Sequence, residues 1–248
     1  MNKTLIHAHR GASYFAPENT MSAFKKALDE KADLIELDIH QSADGHLVVM
    51  HDETLNRTSN GSGLIKSKTK DELLTYDCGS WFSENYKNEK IPFLDEVLEW
   101  GQKTNLSFNI EIKVGSRFYN NLEQQLLNCI NNFNMHDRVI ISSFDHYALK
   151  TIRQLDSSIK TGILYTASLY DPWKYALELG ANALHPYFLT VDPILLSGCM
   201  KNKIQVNPYT INDEPTIEKL LKANVTGLIT NKPKLAYSIR DKIQGGTI

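Results

Sequence analysis

A parallel (β/α)8 barrel of the α/β class is the fold this sequence predicts, on three observations. Short apolar segments alternate with amphipathic helical segments about eight times along the chain. The length, 248 residues, suits one such barrel as a single domain. No G-x-G-x-x-G fingerprint follows the first strand, which disfavours the open doubly wound sheet that the same alternation would allow.

The elements follow in order. A strand over 4–9 leads to a helix over 20–31, where Thr20 is a candidate N-cap and Met21, Phe24, Ala27 and Leu28 form the apolar stripe. A second strand covers 33–40. In it Ile35, Leu37 and Ile39 alternate with Glu36, Asp38 and His40, the period of a strand with two different faces. The apolar set suits packing under helices, and the other face sets Glu36 and Asp38 about 7 Å apart, from ~3.3 Å of rise per residue. Like charges that close repel unless a cation lies between them. Taken alone, Glu-x-Asp also fits an exposed antiparallel strand. An extended piece at 47–50 follows the Asp44-Gly45 turn signal.

Residues 53–90 break the rhythm with Asn60-Gly61-Ser62-Gly63, a short helix near 70–74 and a polar run over 83–90, which predicts an insertion. Alternation resumes at Pro92, with helices expected over 94–103, 119–133, 147–155, 172–179, 193–200, 214–223 and 234–243. Between them lie strands at 106–114, 138–142, 159–164, 183–185, 204–206 and 227–230. No internal repeat or low-complexity segment interrupts them.

Composition narrows the function. With 27 basic and 29 acidic residues, the net charge of −2 gives no reason to expect nucleic-acid binding or polybasic attachment to a membrane. No apolar run approaches the ~20 residues that span a bilayer. The N-terminus lacks the apolar region and small-residue cleavage site of a secretory signal, so a cytoplasmic location is expected. Cys78, Cys129 and Cys199 show no metal or redox spacing and are expected to be reduced thiols.

Chemistry should gather at the C-terminal ends of the barrel strands. Strand one ends in His9-Arg10, strand two carries Glu36 and Asp38, and the extended piece after it ends in His51-Asp52. In the next strand Asn109, Glu111 and Lys113 oppose Phe108, Ile110, Ile112 and Val114. That many ionisable groups on one buried face require pairing or a metal. Hard oxygen ligands suit Mg²⁺ or Ca²⁺, which makes Glu36, Asp38 and Glu111 the expected ligands of one divalent cation. His9 and His51 remain for acid–base work, because histidine titrates near neutral pH. Arg10 and Lys113 are placed to hold an anion, and a phosphate ester fits best. His7 and His40 are expected to hydrogen-bond structurally, and His46 to be solvated in its turn. His136 and His146 lie in polar surroundings, and His185 is either a pocket residue or without a role. The run Asn207-Pro208-Tyr209-Thr210-Ile211-Asn212 either lines the pocket or is a turn.

The ordered motifs HRGASYFAPENT, IELDIH, VVMHDETLNRTSNGSG, LDEVL and NIEIK, dense over residues 5–113, resemble the glycerophosphodiester phosphodiesterase family. Weaker echoes follow in Ser142-Ser143-Phe144, around Tyr209, and over 227–233. The resemblance implies a TIM barrel with a small insertion after the second strand, and metal-dependent hydrolysis of a small glycerophosphodiester to glycerol 3-phosphate and an alcohol. It also implies His9 and His51 as the acid–base pair, Glu36, Asp38 and Glu111 as metal ligands, and Arg10 and Lys113 as phosphate contacts. Glu18 and Asn19 would support the site from behind these residues. The attacking oxygen is either water or the neighbouring glycerol hydroxyl, the latter giving a cyclic phosphate that water then opens. Tyr209 stands where the family usually has Trp, so a similar substrate wall with an added hydroxyl is expected; Asn231 stands where it tends to have Asp. Neither change is expected to touch the chemistry.

Two other functions fit the same pattern. A lysophospholipase-D-like hydrolase would need an apolar channel or membrane-facing patch, for which Trp81-Phe82 and residues 170–173 are candidates. A non-catalytic glycerophosphodiester binder would have no use for two proton carriers.

Overall fold

The computed structural model describes residues 3–115 and 117–245. Strand β1 (Leu5–His9) is followed by α1 (Met21–Asp29), and β2 (Leu34–Gln41) by β3 (Leu47–Val49), which folds back on it antiparallel. A long connection carrying the short helix α2 (Lys70–Leu73) leads to α3 (Leu94–Gln102). The units β4 (Ser107–Ile112)–α4 (Leu122–Asn132), β5 (Val139–Ser143)–α5 (His146–Leu155) and β6 (Lys160–Tyr165)–α6 (Pro172–Leu179) follow. The chain continues through β7 (Ala183–Pro186)–α7 (Pro193–Lys201), β8 (Gln205–Val206)–α8 (Glu214–Lys222) and β9 (Gly227–Thr230)–α9 (Pro233–Gln244).

Strand neighbours run β8-β7-β6-β5-β4-β2-β1-β9, all parallel. The remaining seam is drawn together by backbone hydrogen bonds from Thr226 N–H to the Val206 carbonyl (2.9 Å) and from Ile229 N–H to the Pro208 carbonyl (3.0 Å). The fold is a TIM barrel. Strand β2 is buried over all eight residues between the parallel β1 and β4, which excludes the exposed antiparallel alternative for Glu-x-Asp.

The period-two pattern sorts residues as predicted. Ile35, Leu37 and Ile39 join Phe108, Ile110 and Ile112 in the core between strands and helices, against Phe24, Ala27, Val97 and Leu126. Thr20 caps α1 through its hydroxyl, which accepts from Ala23 N–H at 3.2 Å, a contact worth about 1 kcal/mol. The helix expected from residue 119 starts at Leu122, because Asn121 takes left-handed backbone (φ +54°). Tyr119 is instead buried, with its hydroxyl 2.8 Å from His40 Nδ1.

Leu55, Ile65, Leu73 and Cys78 of the predicted insertion form a small core with Val48, Met50, Ile91 and Phe93 of the chain flanking it. The insertion is tied to the β1–α1 region by Glu89, which accepts from the Ser22 hydroxyl (2.6 Å), and by Tyr86, whose hydroxyl donates to the Phe15 carbonyl (3.0 Å).

Inside the barrel the middle level is polar rather than filled by branched apolar side chains. His7, Asn109, Ser142, His185 and Asn207 are all buried there. Two glycines make room: a Cβ on Gly162 would lie 2.5 Å from His185 Nε2, and one on Gly227 would lie 2.5 Å from His7 Nε2. Burial lowers the His7 pKa from 6.5 to about 4, with Asp33 opposing; burial and the nearby His7 lower His185 to about 3. Below pH 6.5 the unfolded chain therefore binds protons that the folded barrel refuses, so stability falls as pH falls. By pH 5 each histidine costs about 2 kcal/mol, a loss opposed by Glu36 and Glu111, whose carboxyls are raised in the folded protein. The urea midpoint of the parent should therefore fall relative to that of His7→Gln or His185→Gln as pH drops from 6.5 to 5; a difference that held constant with pH would contradict the buried neutral state.

Candidate active site

Register brings the predicted residues together at the C-terminal mouth. His9 pairs with Glu36 across β1–β2, while Glu36 pairs with Asn109 and Asp38 with Glu111 across β2–β4. A cavity of about 180 Å³ opens there, lined by His9, Arg10, Glu36, His51, Glu111, Lys113 and Tyr209, with Asn109, Ser142, Phe144, Leu164, Thr210 and Ile229.

Carboxylate oxygens of Glu36, Asp38 and Glu111 lie within 4.8 Å of one another, and all three side chains are buried. Burial, then repulsion from Asp38 and Glu111, raises the Glu36 pKa well above the usual carboxylate range. Glu111 is raised to about 7 by burial and by Asp38, with Lys113 opposing. Burial would raise Asp38 as well, but Lys113 and Arg10 overcome it and lower the group to about 2. Three carboxylates this close cannot all ionise unaided. Among the described residues Asp38 Oδ1 has no hydrogen bond, only the Lys113 ammonium 3.4 Å away. This all-oxygen set suits a hard divalent cation.

The two histidines are oriented differently. His9 Nδ1 lies 2.6 Å from Asn231 Oδ1, and since an amide oxygen only accepts, Nδ1 carries the proton and Nε2 a lone pair. Burial and the Arg10 charge lower the His9 pKa to about 4. His51 Nδ1 donates to the carboxylate of Asp52 at 2.7 Å, an anion able to stabilise an imidazolium. His51 is still lowered below its ordinary value, first by burial.

Arg10 adopts left-handed backbone (φ +54°), costing about 1–2 kcal/mol. That conformation lets its N–H donate to Glu36 Oε2 at 2.8 Å while its guanidinium meets Glu18 (2.9 Å) and Asp38 (3.4 Å). Gly11 must follow without a Cβ, which would lie 2.7 Å from Ala23. Asn19 donates from Nδ2 to Asp38 Oδ2 at 2.8 Å, and Lys113 Nζ donates to Glu111 Oε1 at 2.6 Å. Glu18 and Asn19 thus contact Arg10 and Asp38 respectively.

Other expectations sort as follows. Tyr209 forms a wall with Phe144, ring centroids 5.9 Å apart, but its hydroxyl donates to the Tyr165 carbonyl at 3.1 Å instead of facing the cavity. Asn231, expected to leave the chemistry untouched, directly holds His9. His40 braces the site by contacting the His51 carbonyl at 3.0 Å, whereas His7 and His185 lie in the barrel interior. His46 is exposed beside Phe93. His136 meets Asp156 and Ser158, and His146 meets Tyr175 and the Leu164 carbonyl. Trp81 donates to the Cys78 carbonyl but stays exposed, and Trp173 packs on Gly198 while Tyr170 beside it is exposed. Sequence reasoning placed Asp52 at a strand end without giving it a role, and missed Arg57 and the role of Asn231. Asp52 and Arg57 lie inside the H-D-x-x-x-x-R run, the one signal that could have found them.

Residues 9–235 match the Glycerophosphoryl diester phosphodiesterase family. The chain belongs to that family. It is 44% identical over 237 residues to the glycerophosphodiester phosphodiesterase of Caldanaerobacter subterraneus subsp. tengcongensis, covering 96% of this chain and 98% of the relative. Among solved structures it resembles an Oleispira antarctica phosphodiesterase in complex with the product sn-glycerol-3-phosphate, at 28% identity and a TM-score of 0.91, covering 96% and 97% of the two chains. A glycerophosphodiester phosphodiesterase from Agrobacterium tumefaciens str. C58 superimposes with a TM-score of 0.85 at 27% identity, over 95% and 99% of the chains. No helix among the described residues is long and apolar enough to cross a membrane.

Proposed function

We propose that this enzyme hydrolyses glycerophosphodiesters to glycerol 3-phosphate and an alcohol, with one divalent cation, Mg²⁺ or Ca²⁺, and a histidine pair. The observation that carries the reading is the convergence on one cavity of three buried carboxylates and two histidines, one held by an amide and the other by a carboxylate. Glu36, Asp38 and Glu111 would hold the cation, which would supply positive charge at the phosphate. Arg10 and Lys113, themselves held by Glu18, Asp38 and Glu111, bind and orient the phosphate. His9, kept neutral by burial and by an amide partner, takes a proton at Nε2 from the attacking oxygen. His51, backed by Asp52, delivers a proton from Nε2 to the departing alcohol oxygen. Phe144 and Tyr209 wall one side of the substrate.

The test is release of glycerol 3-phosphate from glycerophosphocholine and glycerophosphoethanolamine, with EDTA and with Mg²⁺ or Ca²⁺ restored. Release that EDTA abolishes and one ion restores is the expected result. An added lysophosphatidylcholine arm, read as release of choline and an acylglycerol 3-phosphate because the acyl ester stays intact, separates the lysolipid reading, which would show activity there alone. Absence of release from all three by folded, metal-supplied protein would sink the hydrolase reading.

A further inference from the structure

Arg57, in the insertion, lies between two carboxylates that belong to different sides of the cavity. Its Nε and Nη2 donate to Asp52 Oδ2 and Oδ1 at 2.8 and 2.9 Å. Its Nη1 and Nη2 donate to Glu18 Oε2 and Oε1 at 3.0 and 2.8 Å. Both contacts are bidentate, a geometry that the planar guanidinium supports and an ammonium does not. Beyond Asp52 stands His51, and beyond Glu18 stands Arg10.

We propose that Arg57 is a positioning residue that fixes His51 and Arg10 relative to one another through Asp52 and Glu18. The inference rests on the roles proposed above for those two residues. Glu18 lies in the β1–α1 connection and Asp52 follows β3, so the guanidinium joins two segments that no strand pairing aligns. Its hydrogen bonds also hold Asp52 far below the usual carboxylate range, leaving it an anion that accepts from the His51 ring and does not donate to it. For Glu18 burial works the other way, yet the Arg57 hydrogen bonds and Arg10 bring the net shift downward. Arg57 itself is 43% exposed, and exposed ion pairs add little to stability, so the clamp acts on geometry more than on folding.

Arg57→Ala should lower kcat by about 10–100-fold, the usual effect of removing a group that orients a catalytic one, and raise KM several-fold. The two arms separate. Asp52→Asn should lower kcat through His51, and Glu18→Gln should chiefly raise KM through Arg10. Because the position is exposed, guanidinium ion at millimolar concentration should restore part of the Arg57→Ala loss, whereas Arg57→Lys should stay impaired. An activity-independent readout is the His51 Nδ1–H proton resonance, assigned by its absence in His51→Ala, which should broaden or vanish in Arg57→Ala.

Arg57→Ala with kcat and KM within twofold of the parent would overturn the proposal, as would lost activity with the resonance intact. Should Arg57→Ala fail to fold, Arg57→Gln is measured instead; failure of both to fold would make Arg57 structural and also overturn it. A parent protein that releases no glycerol 3-phosphate while Arg57→Ala still loses the resonance would leave the positioning role standing and remove the substrate reading.

Discussion

Replacing His9 or His51 with alanine is expected to lower kcat by about 10²–10⁴-fold each, with circular dichroism and melting temperature close to those of the parent. Proton transfer is the contribution lost, since a methyl group neither takes a proton from the attacking oxygen nor gives one to the departing alcohol. The folds should survive for different reasons. His51 donates to Asp52, which the Arg57 fork continues to satisfy. His9 meets Asn231, whose backbone N–H remains bound to Asn212 Oδ1 at 2.8 Å. The partners also predict an asymmetry. An aryl diester, whose leaving group departs without protonation, should recover much of the His51→Ala loss and little of the His9→Ala loss. Both variants retaining near-parental rates would refute the assignment of the histidines, and equal recovery would refute the split between base and acid.

Asp38→Asn should have the other large effect, weakening Mg²⁺ or Ca²⁺ binding by at least about 10–100-fold and lowering turnover in step. Asp38 is at the centre of the charge network, with Lys113 3.4 Å from Oδ1, Arg10 3.4 Å from Oδ2 and Asn19 donating to Oδ2 at 2.8 Å. Neutralising it removes an anionic ligand and leaves two cations facing the metal position. Proton linkage adds a second expectation. In the metal-free protein Glu36 and Glu111 are raised, Glu111 to about 7, so both tend to hold protons that an incoming cation must displace. Affinity should therefore rise with pH through about 7, with protons released on binding. Isothermal titration in buffers of different ionisation enthalpy measures both quantities. Unchanged affinity in Asp38→Asn, or binding without proton release at pH 6, would move the cation away from these carboxylates.

Much of this was visible in the chain because it depended on local regularities. The alternation of Ile35, Leu37 and Ile39 with Glu36 and Asp38 specified which face is apolar, and burial then required the carboxylates to share one interior. Thr20, followed by an apolar stripe, located the start of α1 within a residue. The broken rhythm after residue 53 marked the insertion. Boundaries shifted where a single backbone conformation intervened, as at Asn121 before α4.

The remaining features depended on pairings between distant segments. Asn231 meets His9 across 222 positions, and Arg57 meets Glu18 across 39, so neither contact follows from a local period. Tyr209 was legible as a ring, but whether its hydroxyl faces substrate or the Tyr165 carbonyl depended on where β6 passes. The polar barrel interior was likewise hidden, because His7 and His185 fit only where Gly162 and Gly227 lie opposite them. Sequence by itself determined the residue types, their faces and the strand ends at which they sit, since side-chain direction along a strand is a local property. Tertiary structure decided which nitrogen of each histidine bears the proton, which carboxylates share charge, and which arginine joins the two sides, because hydrogen bonds and Coulomb interactions act through space between segments the chain itself keeps apart.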